Sequence, residues 1–136
     1  MSDTKKFRYV GESVNRVEDQ RFLVGAGKFV DDVSLPGMTH MAILRSPHAH
    51  ARIKAIDLSA AQKMPGIIDV FAAGDIKIDM PEIPLRLAPF KGFEKFLQKP
   101  IAVDKVRYVG EPIAVIIAEN RYLAEDALAE VSLDFD

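Results

Sequence analysis

Short stretches in which apolar residues keep a strand or helix period alternate along this chain with stretches broken by glycine and proline. From Ala49 to Ala55 the alternation is clean: Ala49, Ala51, Ile53 and Ala55 fall on one face and His50, Arg52 and Lys54 on the other, which predicts a half-buried strand. Met38 to Leu44 is apolar on both alternating faces apart from Thr39 and His40, a pattern that fits a strand covered on both sides better than an edge strand. Between them Arg45-Ser46-Pro47-His48 predicts a tight corner, because proline cannot donate a ladder hydrogen bond. Ile67 to Ala72 reads as another strand, closed by Gly74-Asp75.

Helix signals are short. Val17 to Val24 suggests one helical turn, broken by Gly25-Ala26-Gly27, and Leu35-Pro36-Gly37 is a turn in which proline presets φ and glycine tolerates positive φ. Ser59 and Gln62 have capping-box spacing, and Met64 before Pro65-Gly66 stops that helix early. The run Ile113 to Ala118 predicts a buried strand, after which Asn120 caps a helix carrying Leu123, Ala124, Ala127, Leu128 and Val131 on one face. Val131, Leu133 and Phe135 then alternate with polar residues as a further strand, and the intervening length suits a parallel βαβ crossover. The expected fold class is α+β: a mixed sheet with two or three short helices, including this C-terminal βαβ unit. Residues 1–10 are expected to form a flexible arm and residues 11–136 one domain. The chain's end inside an alternating strand is expected of a fragment of a larger subunit.

Residues 74–100 show no convincing element and hold four of the eight prolines together with Phe90, Phe93 and Phe96. Long irregular connections in compact domains are usually functional or lie against a partner, so this stretch reads as a contact segment.

Composition narrows the chemistry. At 136 residues, 49% hydrophobic and 28% charged, the chain is one soluble domain. A net charge of -2 with interspersed signs gives no basic stripe for nucleic acid. With no cysteine the chain itself has no disulfide, thiol catalysis or iron-sulfur ligation. The longest apolar run falls far short of the roughly 20 residues a membrane helix requires, and with no signal-peptide pattern a cytoplasmic location is expected.

Gly25-Ala26-Gly27 is not a dinucleotide loop, because position 30 is valine and no helix opens there. His48 and His50 lack the further ligands that complete a tetrahedral metal site. The adjacent carboxylates Glu18-Asp19 and Asp31-Asp32 point apart on regular structure, and Lys63 ends a helix rather than sitting at the hairpin tip that lipoyl attachment needs. GxxxxGK[ST], HExxH and GxSxG are absent. No catalytic, cofactor-binding or metal residue is assigned.

Seven motifs in order carry a resemblance: Gly11-Glu12-Ser13, Arg16-Val17-Glu18-Asp19, Gly25-Ala26-Gly27-Lys28-Phe29-Val30-Asp31-Asp32, Pro36-Gly37-Met38, Arg45-Ser46-Pro47-His48-Ala49-His50-Ala51, Pro65-Gly66-Ile67 and Tyr108-Val109-Gly110-Glu111-Pro112-Ile113-Ala114. With them the chain resembles the N-terminal α/β hammerhead domain of aldehyde oxidase, xanthine dehydrogenase and carbon monoxide dehydrogenase large subunits. The resemblance implies a parent oxidoreductase with a molybdopterin (molybdenum) cofactor, and partner subunits carrying iron-sulfur clusters (small) and FAD (medium). Its substrate, whether carbon monoxide, a purine, an aldehyde or another heterocycle, stays open.

The family's cofactor and base residues lie beyond this chain, so the implied role is assembly against the downstream molybdopterin-binding domains and the iron-sulfur component. The candidate contact residues are Arg45, Ser46, Pro47, His48, Phe90, Phe93, Phe96, Gly110, Glu111 and Pro112. The alternative is a stand-alone interaction module that keeps the hammerhead fold without redox chemistry.

Overall fold

The computed structural model describes residues 10, 11, 13–84 and 91–136, which fall into two units divided after Pro36. Nearly all of the expected 1–10 arm, and Phe90, lie outside the described residues.

The first unit holds helix α1 (Asp19–Leu23) and a 3-10 turn at Val30–Asp32. Local contacts hold it: Arg16 pairs with Asp19 at 2.8 Å, Arg21 with Glu18 at 2.6 Å, and the Phe22 and Phe29 rings stack at 5.7 Å. Gly27 is needed here because a Cβ would come within 2.7 Å of the Phe22 ring. No described residue of this unit is buried, and Val17, Leu23 and Val30 are almost fully exposed.

The second unit contains two three-stranded sheets. In one, β5 (Pro112–Ala118) lies between β1 (His40–Arg45) and β3 (Ile67–Ala72), and both neighbours run antiparallel to it. In the other, β2 (Ala51–Asp57) lies between the two-residue β4 (Lys105–Val106) and β6 (Ser132–Phe135), again antiparallel. Helices α2 (Ser59–Gln62) and α3 (Arg121–Asp126), the latter continued by a 3-10 turn at Ala127–Glu130, cover one face of the first sheet. Leu58, Ala61, Val70, Ala72, Ala114, Ile116 and Ala127 form that core. A second cluster, Ala51, Ala102, Val106 and Ile113, lies where β5 meets the second sheet. Ile56 packs against both.

Several expectations are corrected. Among the described residues every strand pairing is antiparallel, so there is no mixed sheet. The expected βαβ unit is absent because β5 and β6 join different sheets, although a helix links them in sequence. β1 is an edge strand, with no fully buried residue, rather than a strand covered on both sides. In β2 the register shifts between Ile53 and Ala55, and this bulge changes the phase of the alternation. Ile56 therefore points inward and Ala55 is exposed. The Ser59–Gln62 capping box does not form: the Ser59 amide donates to Asp57 Oδ1 at 2.9 Å and Gln62 Nε2 donates to the Val70 carbonyl at 3.2 Å. The Asn120 cap does form, its Oδ1 accepting the Leu123 amide at 3.0 Å.

Candidate functional site

Two of the sequence motifs meet at one corner. The Ser46 amide donates to the Glu111 carbonyl at 2.9 Å, and the Gly110 amide donates to the Ser46 carbonyl at 2.8 Å. Arg45 Nη1 reaches the Gly110 carbonyl at 2.9 Å. Ser46, 3% exposed, closes the corner with its hydroxyl, which accepts the His48 amide at 3.0 Å and donates to the His48 carbonyl at 2.8 Å. This is the local turn that serine offers in place of a ladder. Gly110 adopts φ +92°, a conformation that side chains disfavour.

Glu111 is 2% exposed. Its Oε2 accepts the Arg107 backbone amide, and its Oε1 lies 3.6 Å from Arg107 Nη1. Arg107 also meets Asp104 at 3.3 Å. Partial burial acts to raise the Asp104 pKa, but its own backbone amide, Arg107 and Lys105 prevail and hold it below the ordinary carboxylate value. The β4–β5 connection is thus fastened from within, while Tyr108 and Val109 at its tip stay exposed. His48 packs edge-on against Phe135, ring centres 4.8 Å apart.

Of the candidate contact residues, Arg45, Ser46, Pro47 and His48 come together with Gly110, Glu111 and Pro112, which starts β5. Ser46 and Glu111 brace this corner from beneath, and Arg45, Pro47 and His48 supply its exposed atoms. Phe93 and Phe96 form a separate tilted pair at 5.8 Å around a 3-10 turn at Glu94–Phe96, with Lys95 Nζ 5.1 Å from the Phe96 ring centre. The bracing residues Arg107 and Asp104 were not among the sequence candidates; their only sequence signal is the 104, 107, 111 spacing of opposite charges.

A cleft of about 180 Å³ beside this corner is lined by Glu82, Lys99, Asp104, Arg107 and Glu111 among others. Among the described residues no three histidine or acidic side chains come close enough to hold a metal, and no helix is long and apolar enough to cross a membrane. The two cations of the cleft are already paired, Lys99 with Asp79 and Arg107 with Asp104 and Glu111, so among the described residues of its lining none is left to hold the phosphate of a pterin cofactor. These residues do not fit molybdopterin.

The family profile described as aldehyde oxidase and xanthine dehydrogenase, a/b hammerhead domain, matches residues 24–136. The chain belongs to this family. The hammerhead domain is 41% identical over 127 residues to the nicotine 6-hydroxylase large subunit of Paenarthrobacter nicotinovorans, covering 93% of this chain and 15% of that protein. It is 40% identical to the carbon monoxide dehydrogenase large chain of Afipia carboxidovorans, covering 97% and 16%. Among solved structures, a reconstituted CO dehydrogenase from Oligotropha carboxidovorans matches with a TM-score of 0.80 at 39% identity, covering 93% of this chain and 15% of that one. Quinoline 2-oxidoreductase from Pseudomonas putida 86 matches with a TM-score of 0.78 at 38% identity, covering 93% and 16%. The hammerhead domain therefore spans about one sixth of the length of these relatives.

Proposed function

We propose that this hammerhead domain is the N-terminal assembly domain of the large subunit of a molybdenum-dependent hydroxylase-type oxidoreductase, and that it contributes no catalytic group itself. The carrying observation is the family match over residues 24–136 in proteins about six times longer. The geometry adds a rigid corner, fastened by Ser46 and Glu111, that displays Arg45, Pro47, His48, Tyr108 and Val109. Phe93 and Phe96 form a second contact point in the irregular segment, to which Phe90 also belongs by sequence. Residues 11–136 are the proposed domain, in a cytoplasmic enzyme whose molybdopterin lies in downstream domains of the same polypeptide. Iron-sulfur clusters and FAD reside on partner subunits.

Metal analysis tests the reading. The 136-residue chain should purify without molybdenum, and the complete polypeptide encoded by the same reading frame should carry it stoichiometrically and oxidise a member of the aldehyde, heterocycle or carbon monoxide substrate class. Stoichiometric molybdenum in the short chain, or a reading frame with no molybdopterin-binding region, would refute it.

A further inference from the structure

Among the described residues, helices cover one face of the first sheet, and on the other face only the Ile113 end of β5 packs against the second sheet. Alternation places Met41 and Ile43 of β1, Val115 and Ile117 of β5, and Phe71 of β3 on the opposite face, and the register aligns them in cross-strand rows. One row is Met41, Ile117, Asp69 and the next is Ile43, Val115, Phe71. Met41 at the edge is 63% exposed, Ile43, Ile117 and Phe71 are half-buried, and Val115 at the centre is buried by its neighbours at 7% exposure. A water-facing antiparallel sheet carries polar residues at such positions, whereas here five of six are apolar. The sixth, Asp69, is exposed: its Oδ1 accepts the Val70 amide at 2.9 Å, and among the described residues no cation pairs with it.

We infer that this outer face docks an apolar segment of the remaining large-subunit polypeptide, one that carries a lysine or arginine opposite Asp69. The inference rests on the proposed function for the identity of the partner. Two observations select this occupant. About five sixths of the length of the relatives lies outside the hammerhead domain, so a partner tethered to the same chain is present at high effective concentration. The lone carboxylate at the margin of an apolar face calls for a complementary cation and disfavours a second copy of this face, which would bring two Asp69 carboxylates into one interface.

Met41 supplies the probe, because oxidation of a thioether follows its exposure. Hydroxyl-radical footprinting read by mass spectrometry compares the 136-residue chain with the purified complete enzyme. Met41 is expected to oxidise at least tenfold more slowly in the enzyme. Asp69→Asn, which keeps the acceptor for the Val70 amide and removes the charge, is expected to raise Met41 oxidation in the enzyme at least threefold. Equal Met41 rates in chain and enzyme, or no effect of Asp69→Asn, overturn the inference. Protection that grows with concentration in the short chain alone overturns it too, by showing a second copy on the face. Molybdenum content of the same preparation separates the two levels. An enzyme that holds molybdenum while Met41 stays reactive overturns only the docking face; one without molybdenum in which Met41 is protected keeps the face and overturns the redox reading.

Discussion

Replacing Glu111 by alanine should be the most costly single change in the corner, and its cost can be assembled from the contacts. The carboxylate is 2% exposed and accepts the Arg107 backbone amide, so its removal leaves that donor without its acceptor; that costs about 1–3 kcal/mol. The ion pair with the Arg107 guanidinium adds less. That side chain is 40% exposed and has Asp104 at 3.3 Å as a second partner, so solvent screening holds the contribution to about 0.5 kcal/mol. The space left behind adds about 1 kcal/mol. The total of about 3 kcal/mol corresponds to a fall in Tm of roughly 10 °C for a chain of this size. Glu111→Gln keeps an acceptor for the amide and loses only the charge, so it should cost about 1 kcal/mol or less. Thermal unfolding followed by circular dichroism on the 136-residue chain measures both. If glutamine costs as much as alanine, charge rather than the amide cap fastens the turn; if alanine costs under about 1 kcal/mol, the bracing argument fails.

Three further changes test other parts of the fold. Gly66 has φ +78° and a Cβ there would meet Leu123 Cδ1 at 2.5 Å, so Gly66→Ala should cost about 1–2 kcal/mol. Gly74, with open space around it and no positive φ, should accept alanine within about 0.5 kcal/mol, and equal melting of the two variants would contradict this. Asn120→Ala removes the acceptor for the Leu123 amide and should cost about 1 kcal/mol in urea unfolding; an unchanged midpoint would show that the cap contributes nothing. The Asp57 pKa lies below the ordinary 3.8, chiefly through the Ser59 side-chain hydrogen bond and then its backbone amide. A carboxylate with a depressed folded pKa stabilises fully above 3.8 and loses that contribution as pH falls through the lowered value. Asp57→Asn should therefore be less stable than wild type at neutral pH, with the gap closing below pH 3.8; a gap constant with pH would remove the linkage.

What was legible in the sequence was local. The Asn120 cap, the run that became β5 and the corner at Arg45–His48 each depend on residues within a few positions of one another, and each is present. What depends on partners far along the chain was not legible. Nothing in the β2 alternation announces that Ile53 and Ala55 straddle a bulge, because the bulge is defined by Phe135 and Asp134 on β6. Nothing in the spacing of β5 and β6 says that they join different sheets, since periodicity reports which face of a strand is covered but not its neighbours. At the corner, Glu111 stood among the candidate contact residues through its motif, and nothing in the sequence marks it as buried, since carboxylates seldom are. The fold buries it, since only there can it reach the amide of Arg107 four residues earlier.

β1 departs from its sequence pattern for the same reason, since its partners lie far along the chain. Its sequence is apolar on both faces, yet in this domain it sits at a sheet edge with one face turned away from the core. The apolar residues it leaves exposed are the surface that the proposed docking segment would cover. The same reasoning applies to Val17, Leu23 and Val30 in the first unit, which find no core among the described residues of that unit. An assembly role accounts for both features together. A domain built to stand in water by itself would carry polar residues at Met41 and Ile117 and along the first unit, at little cost to its own core.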